Sequence, residues 1–411
     1  MLKKLLTVLL FFFAVLGYSQ EALPVSIGQI DTLYSNILGE KRNIWVHIPE
    51  SYKSEHGETK SFPVLYLLDG DSHFSYTVGM LENLSSRGNS ILPKMIVVGI
   101  LNTDRTRDLT PTKAEEMPPF ISKSTSERSG GGESFMKFIE NELIPYIEFK
   151  YSTLPYRLLV GHSFGGLTVL NTLMENTTLF NGYIAIDPSL FYNNQRVLNA
   201  MEQSNFQKGF KHKSLFHAIA NGMESNMDIK SITKDTTVNT LPMRSNLRLK
   251  EHLNELVDLE LKYSSKYYPK DTHGSVPVIS TYDGLRFIFN SYELKLGLKE
   301  YIEPQSKIFS KIVNHYKRVS NELEYEIKPE EQFIDIISYE FLSMKQYEKA
   351  EQFFILNTKN YPKSYNAFDS LGDFYRTIDA KEKARINYLK SIELYQNSPS
   401  KMKLKKLNHK K

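Results

Sequence analysis

The segment Gly161-His162-Ser163-Phe164-Gly165 sets a serine hydroxyl between two glycines. Before it, Leu158-Leu159-Val160 predicts a buried strand. After it, Gly166-Leu167-Thr168-Val169-Leu170 predicts the start of an apolar helix. A strand, a sharp turn and a helix in that order make a nucleophile elbow, which lifts the hydroxyl of Ser163 into the open at a helix N-terminus. The glycines are needed because such a turn is strained and the neighbouring backbones are close. The plain alternative is a glycine-rich strand–helix turn with an incidental serine; the flanking pattern favours the elbow. The chemistry on offer is nucleophilic acyl transfer, given a base to activate the serine.

In the α/β fold class that carries such elbows, the chain order is serine, acid, histidine. After Ser163 come His212, His217, His252, His273, His315 and His409. His217 lies within the apolar strand pattern 215–219 and reads as a packing group. His252 falls in a polar helical stretch and reads as solvated, and His315 and His409 belong to a helical C-terminal region. His273, in the loop Pro269-Lys270-Asp271-Thr272-His273-Gly274-Ser275 before a further helix, is the expected general base. The acid is expected after the strand at 215–219. Glu224 is the choice, Asp228 its rival, and Asp187, at the end of the preceding strand, a third candidate; each also reads as a solvated loop carboxylate. Its task is to fix the imidazole tautomer and stabilise the imidazolium. The two backbone N–H groups of an oxyanion hole are expected at Phe164, directly after the nucleophile, and at Asp71, in the turn Asp69-Gly70-Asp71. Arg105 and Arg107 offer charge to an anionic substrate group, but ion pairing within the protein is the favoured reading. With no H-E-x-x-H and no clustered ligand set, neither a metal nor a cofactor is expected.

These residues need a frame, and residues 20–298 supply its pattern. Residues 43–48 alternate and stop at Pro49, as an antiparallel strand does. Continuous apolar runs at 63–68 and 95–101 predict buried strands, and further strands are predicted at 157–160, 182–186 and 215–219. A helix is predicted from Ser134 to about Phe149, with Phe135, Phe138, Ile139, Leu143 and Ile147 on its apolar face, and another from Phe164. Strands alternating with helices imply an α/β fold with a mainly parallel sheet covered on both faces. The polar stretch 116–133, ending in Gly130-Gly131-Gly132, reads as a mobile loop, and 221–245 as an insertion or surface loop.

Residues 299–411 lose the strand signal and read as all-helical. Ala350 and Ala384 stand one period of 34 apart, as do Phe354 and Tyr388, Phe341 and Tyr375, and Ile337 and Leu371. With Pro362 and Gly372, this predicts two tetratricopeptide-like repeats, 331–364 and 365–398. Ser338, Asn357, Ser391 and Gln396 depart from the usual pattern.

The chain has 411 residues, of which 41% are hydrophobic, 24% charged and 12% aromatic, so it can bury a large core and is not a disordered chain. The absence of cysteine excludes a disulfide scaffold, a zinc finger and a thiol nucleophile. Lys3 and Lys4, the apolar run from Leu5 to Leu16, and Gly17-Tyr18-Ser19 have the three parts of a secretory signal, so residues 1–19 are expected to be removed and the protein to be periplasmic or secreted. No later segment reads as a transmembrane helix. The net charge of +4 is carried by the ends: two lysines in the leader and six after Ser400. The body between is slightly acidic and has no nucleic-acid stripe. The lysine tail reads as a solvated capping helix, with Met402 and Leu407 packed and the lysines facing water.

Asp69-Gly70 after an apolar strand, the Gly161–Gly166 elbow, Asp187-Pro188-Ser189-Leu190, His273-Gly274-Ser275 and the run Asn102 to Pro111 together resemble the esterase family of α/β-hydrolases. That family includes siderophore esterases, esterase D, feruloyl esterases and mycolyltransferases, and the run Asn102 to Pro111 resembles its siderophore-esterase-like branch. The resemblance covers roughly residues 22–298 and implies an α/β-hydrolase fold and a serine carboxylic-ester hydrolase acting on a small-molecule ester. Some siderophore esterases rely on a Ser–His pair, which bears on the role of Glu224. Two other readings are an acyltransferase of the same fold and a non-catalytic binding protein whose helical repeats recruit a protein partner.

Overall fold

The computed structural model describes residues 25–52, 59–86, 90–115, 118–204, 206, 208–224 and 227–409. The leader expected at 1–19 lies outside the described residues. An eight-stranded sheet forms from β1 (Gln29–Ser35), β2 (Glu40–His47), β3 (Phe62–Leu67), β4 (Ile96–Ile100), β5 (Thr153–His162), β6 (Gly182–Ile186), β7 (Ser214–Ala220) and β8 (Lys262–Tyr268). Its order is β1-β2-β4-β3-β5-β6-β7-β8. The β1–β2 and β2–β4 pairs are antiparallel, and every other pair is parallel. The sheet is therefore the mainly parallel one that the apolar runs predict.

Every residue of β3, β4, β6 and β7 is buried. Parallel strands covered on both faces need apolar side chains on both faces, hence runs rather than alternation. The edge strands read differently. Gln-Ile-Asp-Thr-Leu-Tyr-Ser in β1 and Lys-Tyr-Ser-Ser-Lys-Tyr-Tyr in β8 mix polar and apolar residues, because an edge strand meets water. The apolar runs do not predict β1 for that reason.

The helices that cover the sheet are α1 (Gly70–Ser85), α2 (Arg105–Asp108), α3 (Lys123–Arg128), α4 (Gly132–Phe138), α5 (Ile144–Lys150), α6 (Phe164–Glu175), α7 (Tyr192–Gln203), α8 (Ile229–Ile232), α9 (Leu241–Glu255) and α10 (Val276–Ile288). Phe74, Val78 and Leu81 of α1 pack with Leu285 and Ile288 of α10 on one face. On the other, Leu167 and Leu170 of α6 pack with Phe135, Phe138, Ile139, Leu143 and Ile147. The helix predicted at Ser134–Phe149 is thus found, with a π-helical turn at Ile139–Leu143 joining α4 to α5.

The three glycines at 130–132 form a tight junction. Gly130 has φ +98°, and a Cβ there would sit 2.5 Å from the Lys113 nitrogen. The N–H groups of Gly131 and Gly132 donate to the carbonyls of Arg107 and Thr110, both at 3.0 Å. These glycines are therefore packed against the 107–113 backbone, where a mobile loop end was expected.

Beyond residue 297 the described chain is helical, as expected: α11 (Leu298–Ile302), α12 (Ile308–Leu323), α13 (Glu331–Ser343), α14 (Tyr347–Asn360), α15 (Tyr365–Thr377), α16 (Lys381–Leu394) and α17 (Ser400–His409). Phe341 stacks on Phe353 at 5.7 Å, and Ala350, Phe354, Ala384 and Tyr388 are fully buried. A Cβ at Gly372 would lie 2.5 Å from the Tyr388 ring, so the aromatic needs the missing side chain. Asn357 Nδ2 donates to the Glu331 carbonyl at 3.2 Å, and Ser391 Oγ to the Tyr365 carbonyl at 2.8 Å. These two equivalent positions each tie a helix to the first turn of its predecessor, a contact that alanine cannot make.

Helix α12 joins the two regions. Val319 and Leu323 belong to the core of the sheet, whereas Ile308 and Ile312 belong to the core of the helical region. In α17, Leu404 and Leu407 pack inward, while Met402 is 68% exposed, contrary to expectation. Lys403 turns inward to Asp369 at 2.6 Å and Asp373 at 2.5 Å instead of facing water. Among the described residues no helix is long and apolar enough to cross a membrane.

Candidate active site

Three neighbouring strands end in the same way. Asp69 after β3, Ser163 after β5 and Asp187 after β6 have φ of 52°, 61° and 38°. Positive φ at a non-glycine residue costs on the order of 1–3 kcal/mol, and such strain gathers at functional sites. Here it turns three polar side chains out of the carboxyl ends of the parallel strands.

Ser163 (φ 61°, ψ −118°) caps α6. Its N–H donates to the Ile186 carbonyl at 2.9 Å, and its carbonyl accepts from Leu167 at 3.0 Å and Ser189 at 3.1 Å. A Cβ at Gly161 would lie 2.4 Å from the Gly165 carbonyl oxygen, which accounts for the first glycine of the motif. The Ser163 hydroxyl is 3.3 Å from that of Ser189. No hydrogen bond joins Ser163 to His273 in this structure; catalytic hydrogen bonds without substrate are often long and tighten when it binds.

His273 stands beside the elbow, its ring centroid 4.4 Å from that of His162. Its Nδ1–H donates to Asp187 Oδ2 at 2.6 Å. Asp187 is held rigidly: its N–H donates to the Ala218 carbonyl at 2.8 Å, and its Oδ1 accepts the Ala220 N–H at 3.0 Å. The loop of His273 is braced by Asn221, whose N–H donates to the Asp271 carbonyl at 2.8 Å and whose Nδ2 donates to the Pro269 carbonyl at 2.9 Å.

The carboxylate that meets His273 is therefore Asp187, not the expected Glu224 or its rival Asp228. Glu224 is exposed, and its carbonyl accepts the Met227 N–H. Asp228 caps α8, accepting from Ser231 N–H at 2.7 Å and Ser231 Oγ at 2.8 Å. Those bonds hold its pKa below the usual carboxylate range. The reason for the difference is local. The chain leaving β7 is spent on bracing the histidine loop through Asn221, and Glu224 beyond it is exposed. The sequence signal for Asp187 is an acid directly after an apolar strand, the place that Asp69 and Ser163 hold in theirs.

Phe164 is the first residue of α6 and Asp71 the second of α1. First-turn N–H groups have no partner within their own helix. The two helix starts touch: a Cβ at Gly165 would lie 3.3 Å from Asp69 Oδ2. Gly70 is obligatory, since a Cβ there would fall 2.6 Å from the Gly99 backbone. Arg105 clasps Asp69 through Nε at 2.6 Å and Nη2 at 3.0 Å. Arg107 pairs with Glu40 at 2.7 Å and Asp108 at 2.7 Å. Both arginines are thus in ion pairs.

His217 is fully buried in β7. Its Nε2–H donates to Asn246 Oδ1 at 2.8 Å, and Asn246 Nδ2 donates to the Pro188 carbonyl at 3.0 Å, directly behind Asp187. Burial pushes its pKa down to about 4. An unfolded chain binds that proton near pH 6.5, so the stability is full above about 6.5 and is lost as pH falls toward 4, by about 3 kcal/mol. Urea unfolding between pH 7.5 and 4.5 checks this. His217→Gln is expected to flatten the slope over that window, and an unchanged slope would refute the assignment.

The family model described as "Putative esterase" matches residues 35–241. The ferri-bacillibactin esterase BesA of Bacillus subtilis is 34% identical over 166 residues, which are 37% of this chain and 56% of that protein. The chain thus spans just over half of that relative's length. The siderophore enterobactin esterase of Emericella nidulans is 27% identical over 262 residues, 58% of this chain and 86% of the relative. An IroE-like serine hydrolase from Shewanella oneidensis superposes with TM-score 0.65 at 30% identity, covering 81% of this chain and 99% of that one. The family model takes in just over half of the chain, from the end of β1 to the start of α9, and so includes the elbow and Asp187; on that match the protein belongs to the esterase family.

Proposed function

We propose that the protein is an exported serine esterase that hydrolyses a carboxylic ester, of the siderophore class, through Ser163, His273 and Asp187. The observation that carries this reading is the 2.6 Å hydrogen bond from His273 Nδ1–H to Asp187, which leaves Nε2 as the basic nitrogen beside a serine held at positive φ. His273 Nε2 takes the Ser163 proton as Oγ attacks the ester carbonyl. The N–H groups of Phe164 and Asp71 stabilise the oxyanion. As the tetrahedral intermediate collapses, the C–O bond breaks and His273 returns the proton to the leaving alcohol. Water then attacks the acyl-enzyme, His273 again takes and returns one proton, and the acid is released. Asp187 stays ionised and holds the imidazolium.

The substrate class rests on the relatives, whose names describe esterases of bacillibactin, enterobactin and triacetylfusarinine C. Residues 20–298 form the catalytic domain on this reading. The helical region 299–411 contains two tetratricopeptide-like repeats, supported by the Gly372–Tyr388 contact and the equivalent bonds of Asn357 and Ser391. The test is turnover of a trilactone siderophore and of short-chain p-nitrophenyl esters by the full chain, with a fluorophosphonate to label Ser163. Turnover of both and a single labelled serine are expected. No turnover and no labelling would sink the proposal.

A further inference from the structure

His162, the residue between Gly161 and Ser163, is not used by the mechanism above, yet it touches the base. Its ring lies 4.4 Å from the His273 ring at an interplanar angle of 40°, and 5.8 Å from the His73 ring at 80°. Its Nε2 is shielded from solvent and has no hydrogen-bond partner among the described residues. We infer that His162 is a positioning residue: its ring packs against His273 and fixes the plane of the imidazole that serves Ser163. This rests on the proposed roles of Ser163 and His273.

The need for such a contact follows from how His273 is held. It sits on a loop, its side chain is 53% exposed, and among the described residues its polar anchor is one hydrogen bond, to Asp187. One bond fixes a point of the ring and leaves it free to swing about that axis. A flat neighbour on a rigid element removes the swing. His162 is such a neighbour, because it ends β5 in register with Ile186, and Arg105 Nη2 donates to its carbonyl at 3.3 Å. The side chain is also suited to a base that becomes charged. Burial, followed by the positive charge His273 and His73 carry when protonated, pushes its pKa down to about 4, against a weaker pull from Asp187 and Asp69. His162 therefore stays neutral at ordinary pH and presents an uncharged ring to the imidazolium formed in each half of the reaction. A second cation there would oppose that charge.

The test uses the full chain with His162→Phe, His162→Gln and His162→Ala, each checked for an unchanged melting temperature. Gln and Ala are expected to lower kcat by about 10-fold or more with KM within about twofold, since misplacing a catalytic group costs rate rather than uniform binding. Phe, which keeps a ring, is expected to retain kcat within about threefold of wild type. The ring resonances of His273, assigned with His273→Gln, are expected to lose the ring-current shift of the neighbouring ring in the Gln and Ala variants and keep one in Phe. Full activity in Gln and Ala, an equal loss in Phe, or His273 resonances that ignore the loss of the ring would each overturn the inference. The resonances do not depend on turnover. A wild-type protein that neither hydrolyses esters nor is labelled defeats the esterase reading, whereas the resonances still decide whether His162 places the ring of His273.

Discussion

Ser163→Ala is expected to lower kcat/KM for ester hydrolysis by about 10⁴-fold or more and to abolish fluorophosphonate labelling. The side chain it removes is the proposed nucleophile, and no other described hydroxyl stands on the elbow. Ser189 Oγ is 3.3 Å from Ser163 Oγ but belongs to the turn after Asp187, so it lacks the helix start behind it. On the proposed mechanism the residual rate in the variant comes from the N–H groups of Phe164 and Asp71 and from substrate binding, which the substitution leaves in place. KM should therefore change little. His273→Ala should fall about as far, because members of such a unit are not additive: the serine without its base is a poor nucleophile. Rate measurements on the single and double variants check this. A double variant much slower than either single would show that Ser163 and His273 do not act together, and full activity in Ser163→Ala would end the serine mechanism.

Asp187→Asn is the second large effect, with kcat expected to fall by about 10³–10⁴-fold at nearly constant KM. The substitution keeps volume and changes what is offered to His273. The carboxylate accepts from Nδ1–H at 2.6 Å and so holds the proton on that nitrogen, leaving Nε2 as the base. An amide that presents its NH₂ group favours the opposite tautomer, in which Nε2 carries a proton and cannot take one from Ser163. The amide also cannot stabilise the imidazolium. The amide's one oxygen takes the place of the carboxylate oxygen that accepts the Ala220 N–H at 3.0 Å and keeps the turn in place, so the fold should persist. Glu224→Ala and Asp228→Ala are the controls. Both carboxylates are exposed and it is Asp187 that bonds to His273, so each variant should stay within about twofold of wild type. Loss of activity in Glu224→Ala with Asp187→Asn unaffected would reverse the assignment.

Much of this was legible in the residues. The elbow was visible because its requirements are local: apolar strand, close-packed glycines, apolar helix. The central strands were visible because burial on both faces demands unbroken apolar runs. The helical C-terminal region was visible through a period of 34 in small and aromatic residues, which must recur wherever paired helices pack alike. The edge strand β1 was not, since half of its surroundings are water and its residues mix. Nor was the packing of Gly130-Gly131-Gly132 against residues 107–113, because a glycine run reads the same whether it moves or is pressed against a backbone.

By itself, the sequence determined the nucleophile candidate, the histidine candidate and the sheet that carries them, since each is written in a stretch of contiguous residues. Only the tertiary structure decided which carboxylate meets the histidine. Asp187 and His273 are 86 residues apart and meet because β6, β7 and β8 lie side by side and parallel, which brings their carboxyl ends to one edge. A loop carboxylate is chemically the same residue wherever it stands. Which one meets the imidazole depends on where the chain turns after each strand. Here the left-handed turn at Asp187 brings its carboxylate to His273, while Asn221 braces the histidine loop and Glu224 is left exposed.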